Sequence, residues 1–374
     1  MHLTLHLTNR CNLKCKYCFV KPGNERMTRE VAFQAIKFGM EDNKPSGLLF
    51  YGGEPLLEKE LIYDIVAHTQ KIKEDTGHIF YYKITTNGTL LDEEFLQFSK
   101  EIDMSIGFSH DGPAQDDNRL FHNGDGSFDI LEEKIPLLLK YQPYAVGMSV
   151  VDPMTVHKAA STIQFLYDKG FRYITMNIND DPEAKWTKKH IDVLEQEYKK
   201  MAEMYLEWTR REEKFYLSPF DRKIMSHLEG DKYNENRRLM NRAQPSVAPD
   251  GKLYACSMYV NYPKSSIGDV FTGIDEEKRK LLEGKDTVAP ESCRECAIKS
   301  RCHYAEDSLT RHDMDLCISI SPVQCAHEQL LTPIADDVAV KLYREQNALF
   351  IHKHYNQMYS VVSLLEDRGK NYVM

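Results

Sequence analysis

From residue 2 to residue 178 the apolar positions switch between two periods. Residues 2–7 (His2-Leu3-Thr4-Leu5-His6-Leu7) alternate polar and apolar, as a strand with one buried face does, and residues 29–41 repeat their apolar positions at helical spacing behind Thr28, a residue suited to an N-cap. Gly47-Leu48-Leu49-Phe50-Tyr51 reads as a buried strand. The alternation continues with helix 58–75, strand 79–85, helix 91–100, strand 102–109, helix 128–141, strand 143–151, helix 155–169 and strand 172–178. Six strands, each but the last followed by a helix, predict an α/β fold with a parallel sheet and helices outside, a partial (β/α)6 barrel. Beyond it, residues 183–214 mix charges of both signs around an apolar side of Leu194, Tyr198, Met201, Met204, Tyr205 and Trp208, which predicts a long solvated helix linking two domains. A last helix is expected over 333–365.

In such a barrel the chemistry sits on loops that follow the strands. Cys11-Asn12-Leu13-Lys14-Cys15-Lys16-Tyr17-Cys18 follows the first strand and offers three thiolates in one loop. A four-iron cluster normally takes four protein thiolates, so three leave one iron open. A structural zinc site would be closed by a fourth local Cys or His, which is missing, His6 lying on the strand. Gly52-Gly53-Glu54-Pro55 follows the second strand, where the glycines let backbone approach a ligand and the Glu54 carboxylate can accept from an ammonium. Thr85-Thr86-Asn87-Gly88 follows the third strand and Ser109-His110-Asp111-Gly112 the fourth, with Arg119 shortly after. Taken singly, Gly52-Gly53 and Asp111-Gly112 are ordinary turn sequences, and Tyr17 and Met176 are ordinary packing residues that would also suit contact with an adenine.

The x3-x2 cysteine spacing, with an aromatic before the third cysteine, resembles the signature of the radical S-adenosylmethionine (SAM) enzymes. The resemblance implies that Cys11, Cys15 and Cys18 hold a [4Fe-4S] cluster whose open iron chelates SAM and whose electron cleaves it to a 5′-deoxyadenosyl radical. It further implies that Gly52, Gly53 and Glu54 bind the SAM amino group, that Asn87, Ser109 and Asp111 hold the ribose, that Tyr17 contacts adenine, and that Arg119 faces the SAM carboxylate.

Composition adds limits. With 57 acidic and 48 basic residues the chain has a net charge of −9, which argues against a nucleic-acid binder. No apolar stretch is long enough to span a bilayer, and residues 1–10 lack the apolar core of a signal peptide, so a cytoplasmic location is expected. Six further cysteines, Cys256, Cys293, Cys296, Cys302, Cys317 and Cys325, fall within 70 residues. With Gly251 ahead of Cys256, they resemble the SPASM extension of radical SAM enzymes that modify peptides and proteins, which implies one or two auxiliary [4Fe-4S] clusters. Two departures stand out. Residues 236–242 contain no cysteine where the family pattern has one, and Glu306 occupies another cysteine position. If Cys317 takes that second role, Cys293, Cys296, Cys302 and Cys325 close one cluster, and Cys256 and Cys317 leave the other incomplete. A zinc half-site at Cys293-x2-Cys296 remains the alternative.

The expected organisation is a radical SAM barrel over 1–182, a helical linker over 183–242, a SPASM-like domain over 243–330 and a helical tail over 331–374. The resemblance implies a peptide-modifying radical SAM oxidoreductase that matures a ribosomally made precursor peptide, with thioether formation from a Cys as the leading chemistry and the group acting on Cys-x-x-x-repeat peptides as one candidate. The anaerobic sulfatase-maturating (formylglycine-generating) enzymes are the first alternative. They carry an Asp after the cysteine corresponding to Cys256, where this chain has Ser257. An iron–sulfur protein that binds a peptide or relays electrons without cleaving SAM is the alternative from another class. An electron donor such as flavodoxin or ferredoxin is implied as a partner. A winged helix ahead of the barrel has no room before Cys11, so leader recognition falls to the barrel rim, residues 210–245, the last helix or a separate leader-binding protein.

Overall fold

The computed structural model describes residues 1–230, 244–260, 262–278, 291–302, 322–359 and 362–363. In chain order the first elements are β1 (His2–Thr8), β2 (Leu13–Cys15), α1 (Arg29–Gly39), β3 (Ser46–Gly52), α2 (Lys59–Thr76), β4 (Phe80–Thr86), α3 (Glu93–Glu101) and β5 (Ser105–Ser109). There follow α4 (Gln115–Asn118), β6 (Arg119–Phe121), α5 (Phe128–Tyr141), β7 (Val146–Val151), α6 (Ala159–Asp168), β8 (Tyr173–Ile178), α7 (Lys188–Arg210), β9 (Tyr216–Leu217) and α8 (Ser218–Glu229). The last are β10 (Ser246–Val247), β11 (Lys252–Tyr254), β12 (Gly268–Asp269), β13 (Gly273–Ile274), α9 (Glu291–Arg294), α10 (Pro322–Arg344) and α11 (Ala348–Tyr355).

Six strands, β1, β3, β4, β5, β7 and β8, lie side by side in that order and pair in parallel. Each neighbour is the next of these six along the chain, as winding in one direction requires, and the helices between them complete the (β/α)6 arrangement. Leu3, Leu5 and Leu7 on β1 are fully buried, Leu3 packing beside Gly39 of α1. The alternate residues Thr4, His6 and Thr8 point to the other side of the sheet. Thr28 caps α1 by accepting from the backbone N–H of Val31 at 3.2 Å, and Asp92 caps α3 through Phe95 at 2.9 Å.

The sheet runs past the six strands at both edges. β9 pairs with β8 in parallel, and β10 pairs with β1 in parallel before β11, β12 and β13 continue antiparallel. The second half of the chain is thus hydrogen-bonded directly to the first strand.

Several sequence expectations need correction. The strand expected over 102–109 begins at Ser105, because Ile102 caps α3 and Asp103 turns the chain with φ of 56°. The strand expected over 143–151 begins at Val146, after a turn closed by Ala145 N–H on Gln142 O at 2.9 Å. The helix expected over 183–214 is α7, and it is no solvated bridge. Leu194, Tyr198, Met201, Tyr205 and Trp208 are fully buried against α6 and α10, with the Trp208 ring stacked on Tyr167 at 3.8 Å. Fully burying side chains of this size is worth roughly 1.5–3 kcal/mol each, which holds α7 against the barrel. The last helix, expected over 333–365, starts earlier as α10, carries Pro333 inside it and gives way to a separate α11.

Candidate active site

The cysteine loop is built as a short ribbon. β2 pairs antiparallel with β6, setting Leu13 opposite Phe121, Lys14 opposite Leu120 and Cys15 opposite Arg119. Lys16 N–H extends the ladder to Asn118 O at 3.0 Å, and the His122 ring is 2.9 Å from Cys11 O. Two glycines seat the ribbon on the barrel. Gly52 has φ of 128°, and a Cβ there would stand 2.3 Å from Thr8 O. At Gly53 it would stand 2.1 Å from Arg10 O, so only glycine lets the end of β3 pass this close under the loop. The contact is fixed by Gly53 N–H donating to Thr8 O and Glu54 N–H donating to Arg10 O, both at 2.8 Å.

Cys11, Cys15 and Cys18 border a cavity of about 450 Å³ at the C-terminal ends of the strands. Cys11 Sγ accepts from Leu13 N–H at 3.4 Å and from Asn87 Nδ2 at 3.7 Å. Burial pushes the Cys11 thiol up to about 12 and the Cys15 thiol up to about 11, the latter against the pull of the Arg119 guanidinium. Among the described residues no three Cys, His, Asp or Glu side chains converge on a single metal-ion position. The three thiols share a cavity wall instead.

Tyr17, Gly52, Gly53, Asn87, Ser109, Arg119 and Met176 also line this cavity. Two expected contact residues do not. Glu54 is fully buried behind the wall, its carboxylate accepting from Thr86 Oγ1 and Asn87 N–H at 2.7 Å and from Leu56 N–H at 3.0 Å. Burial pushes its carboxyl up to about 7 against those hydrogen bonds. Asp111 is likewise buried. It accepts from Tyr17 Oη, from Arg119 Nε at 3.0 Å and Nη2 at 3.3 Å, and from Val150 N–H at 3.0 Å. Arg119 in turn lies over the Tyr17 ring at 5.2 Å and reaches the Cys15 thiol. Both carboxylates therefore hold the residues that form the wall.

The opposite wall was not legible in the sequence. It comes from the end of β8 (Asn177, Asn179, Asp180), the start of α8 (Ser218, Arg222, Lys223), Met258, and His327, Glu328 and Leu331 of α10. Lys223 Nζ donates to Glu328 at 2.5 Å and to Arg301 O at 3.2 Å, and Tyr198 Oη is 2.5 Å from His327 Nδ1. Burial holds Lys223 below the usual lysine range. No local motif announces these residues, since four segments far apart in the chain supply them.

Of the later cysteines, Cys325 is within electrostatic reach of Cys293 and Cys296, and Cys302 within reach of the Lys223 ammonium. Arg301, just before Cys302, is clamped to Asp336 of α10 by two hydrogen bonds of 2.7 and 2.6 Å. Cys256 stands near the Tyr51 phenol, which also feels Cys18. Cys317 lies outside the described residues.

Residues 5–166 match the family model of the Radical SAM superfamily. That match takes in the cysteine triplet, Gly52-Gly53-Glu54 and Arg119. The chain is 24% identical over 331 residues to the cysteine-type anaerobic sulfatase-maturating enzyme of Clostridium perfringens (strain 13 / Type A), covering 82% of this chain and 89% of the relative. The solved structure of native anSMEcpe with bound AdoMet superposes with a TM-score of 0.74 at 22% identity, covering 92% of this chain and 99% of that one. Streptococcus suis SuiB bound to precursor peptide SuiA gives a TM-score of 0.57 at 14% identity, covering 81% of this chain and 71% of that one.

The superfamily uses a [4Fe-4S] cluster and SAM, and the residues of this site fit them. Among the described residues, three thiols and no fourth face this cavity. N–H donors at Cys11 and a guanidinium at Cys15 supply the hydrogen bonds that thiolate ligands take.

Proposed function

We propose that this radical SAM enzyme matures a peptide by forming a thioether from a Cys of its substrate. The observation that carries the reading is the placement of the cavity. One wall is the cysteine ribbon, and the other is α8, Met258 and α10, so a substrate chain entering it lies between the triplet and the cysteine-rich half. When bound, the cluster on Cys11, Cys15 and Cys18 and its SAM supply a 5′-deoxyadenosyl radical that takes a hydrogen atom from carbon, and an auxiliary cluster supplies an acceptor for the remaining electron. The protein's own residues hold and orient. Gly52, Gly53, Asn87 and Ser109 present polar backbone and side-chain groups to SAM, Glu54 fixes Asn87 from behind, Asp111 fixes Tyr17 and Arg119, and Tyr17 and Met176 offer surface to the adenine. We assign the auxiliary cluster to Cys293, Cys296, Cys302 and Cys325, with Cys256 and Cys317 available to a second. Loss of one hydrogen atom from carbon, one proton from the thiol and one electron joins sulfur to carbon, a net loss of two hydrogens.

The relationship to the C. perfringens enzyme over 82% of this chain favours a second reading, conversion of Cys to formylglycine. Against that second reading counts Ser257, at the position where the sequence resemblance leads one to expect an Asp; its hydroxyl is 3.0 Å from Ser246 Oγ. Mass spectrometry of a Cys-containing precursor peptide co-expressed with the enzyme decides. A product lighter by two hydrogens, with a Cys that no longer alkylates, supports the thioether. A Cys converted to formylglycine overturns it in favour of the second reading.

A further inference from the structure

The cysteine ribbon has two faces of opposite character. Cys15 and Tyr17 turn inward to the cavity, so Lys14 and Lys16, which alternate with them, turn outward, and both are exposed. Arg10 and Lys21, exposed in the same loop, flank them. Residues 10–21 thus carry four cations and no acid, in a chain whose net charge is −9. The facing segment, Arg119-Leu120-Phe121-His122, adds no acid either. Elsewhere the surface lysines and arginines are commonly paired, as in Lys59 with Asp92, Arg29 with Asp64 and Lys158 with Asp117. Among the described residues none of the four loop cations makes an ion pair, and Lys21 lies over the Tyr262 ring at 4.9 Å.

An unneutralised basic face on an acidic protein is an electrostatic address. An acidic partner is repelled by most of this surface and attracted here, which orients its approach before contact. The position also gives the address a purpose, because one layer of backbone separates Lys14 and Lys16 from the Cys15 thiol on the inner face.

We propose that the outer face of the β2–β6 ribbon, centred on Lys14 and Lys16, is the docking surface for an acidic one-electron carrier protein that reduces the barrel cluster. This rests on the radical SAM assignment and goes beyond it by naming where the electron enters. The carrier is oxidised by one electron and the enzyme reduced by one, with no bond formed between them. Because the attraction acts between exposed charges, it weakens as salt shortens the screening length to about 8 Å at physiological ionic strength.

The test uses the full, cluster-loaded enzyme and a reduced flavodoxin of acidic pI, following cluster reduction by rapid mixing under anaerobic conditions. Three proteins are compared: the parent, Lys14→Glu/Lys16→Glu, and Lys71→Glu/Lys73→Glu as a control of equal charge change on α2. At low ionic strength the ribbon variant should be reduced by flavodoxin at least tenfold more slowly than the parent, in line with the roughly 10- to 1,000-fold reach of electrostatic steering. The control should stay within about twofold of the parent, and added salt should slow the parent toward the ribbon variant. Photoexcited deazaflavin, a small reductant with no docking requirement, should reduce all three alike and support equal SAM cleavage. A ribbon variant reduced by flavodoxin at the parent's rate, or a control slowed as much as it, overturns the proposal. Failure of the deazaflavin-reduced parent to cleave SAM would instead overturn the superfamily chemistry on which the proposal rests.

Discussion

Asp111→Asn tests whether the buried Tyr17–Asp111–Arg119 group is what holds the cysteine ribbon in place. The substitution keeps the side chain's size and removes its charge. Asp111 is 1% exposed and the Arg119 side chain 8%, with Nε 3.0 Å from the carboxylate, so the guanidinium left behind loses its buried counter-charge. Removing one partner of such a buried pair costs about 3–5 kcal/mol. Arg119→Met should cost a similar amount, since it strands the carboxylate. The double variant Asp111→Asn/Arg119→Met removes both charges, and replacing a buried pair as a unit is often near neutral. It should therefore fall within about 2 kcal/mol of the parent, far from the sum of the single losses. Urea unfolding of the anaerobic protein, followed through the fluorescence of its two tryptophans, gives the four stabilities. Iron per chain gives a second readout, which should drop in both single variants because Arg119 stands directly opposite Cys15. Single losses below about 1 kcal/mol that simply add in the double variant would refute the reasoning, since that is the behaviour of a solvated surface pair.

Three further outcomes follow from the same geometry. Glu54→Gln turns an amide N–H toward a donor that the carboxylate now satisfies, so SAM affinity by equilibrium binding should fall about tenfold or more with iron content unchanged, taking hydrogen bonds to a charged group at about 1.5–3 kcal/mol. Gly53→Ala drives a Cβ against Arg10 O, and anaerobic reconstitution followed by iron analysis should show the barrel cluster lost. His6 is buried with neither ring nitrogen bonded, and burial lowers its pKa to about 3; the stability it contributes is present above its unfolded value of 6.5 and is lost as pH falls from there toward 3. His6→Leu should thus gain on the parent by about 2 kcal/mol between pH 6.5 and pH 5 in urea unfolding.

The six-strand alternation was legible because each strand and helix carries its own apolar period, as in Leu3-Thr4-Leu5-His6-Leu7 and in the stripe of α7. The expected strand starts at 102 and 143 ran early because apolar Ile102, Met104 and Ala145 extend the pattern, while the backbone there is set by a helix cap and a turn. The β2–β6 ribbon was invisible, since three residues to a strand hold no period. The cysteine triplet and Gly52-Gly53 could be read from type and spacing. What Glu54 and Asp111 do could not, because burial and the return of Arg119 against Asp111 are tertiary facts. The wall from α8 and α10 depends on α7 being packed rather than solvated, and that was settled by partners far along the chain.

The proposed reductive cleavage of SAM by this chain rests on Cys11, Cys15 and Cys18. Its most direct test is 5′-deoxyadenosine and methionine formed from SAM under strict anaerobiosis by the reduced parent and by Cys11→Ala/Cys15→Ala/Cys18→Ala, measured by liquid chromatography. Both products should appear in equal amounts with the parent and vanish with the triple variant, while iron bound outside the barrel persists. Undiminished cleavage in the triple variant would contradict the account.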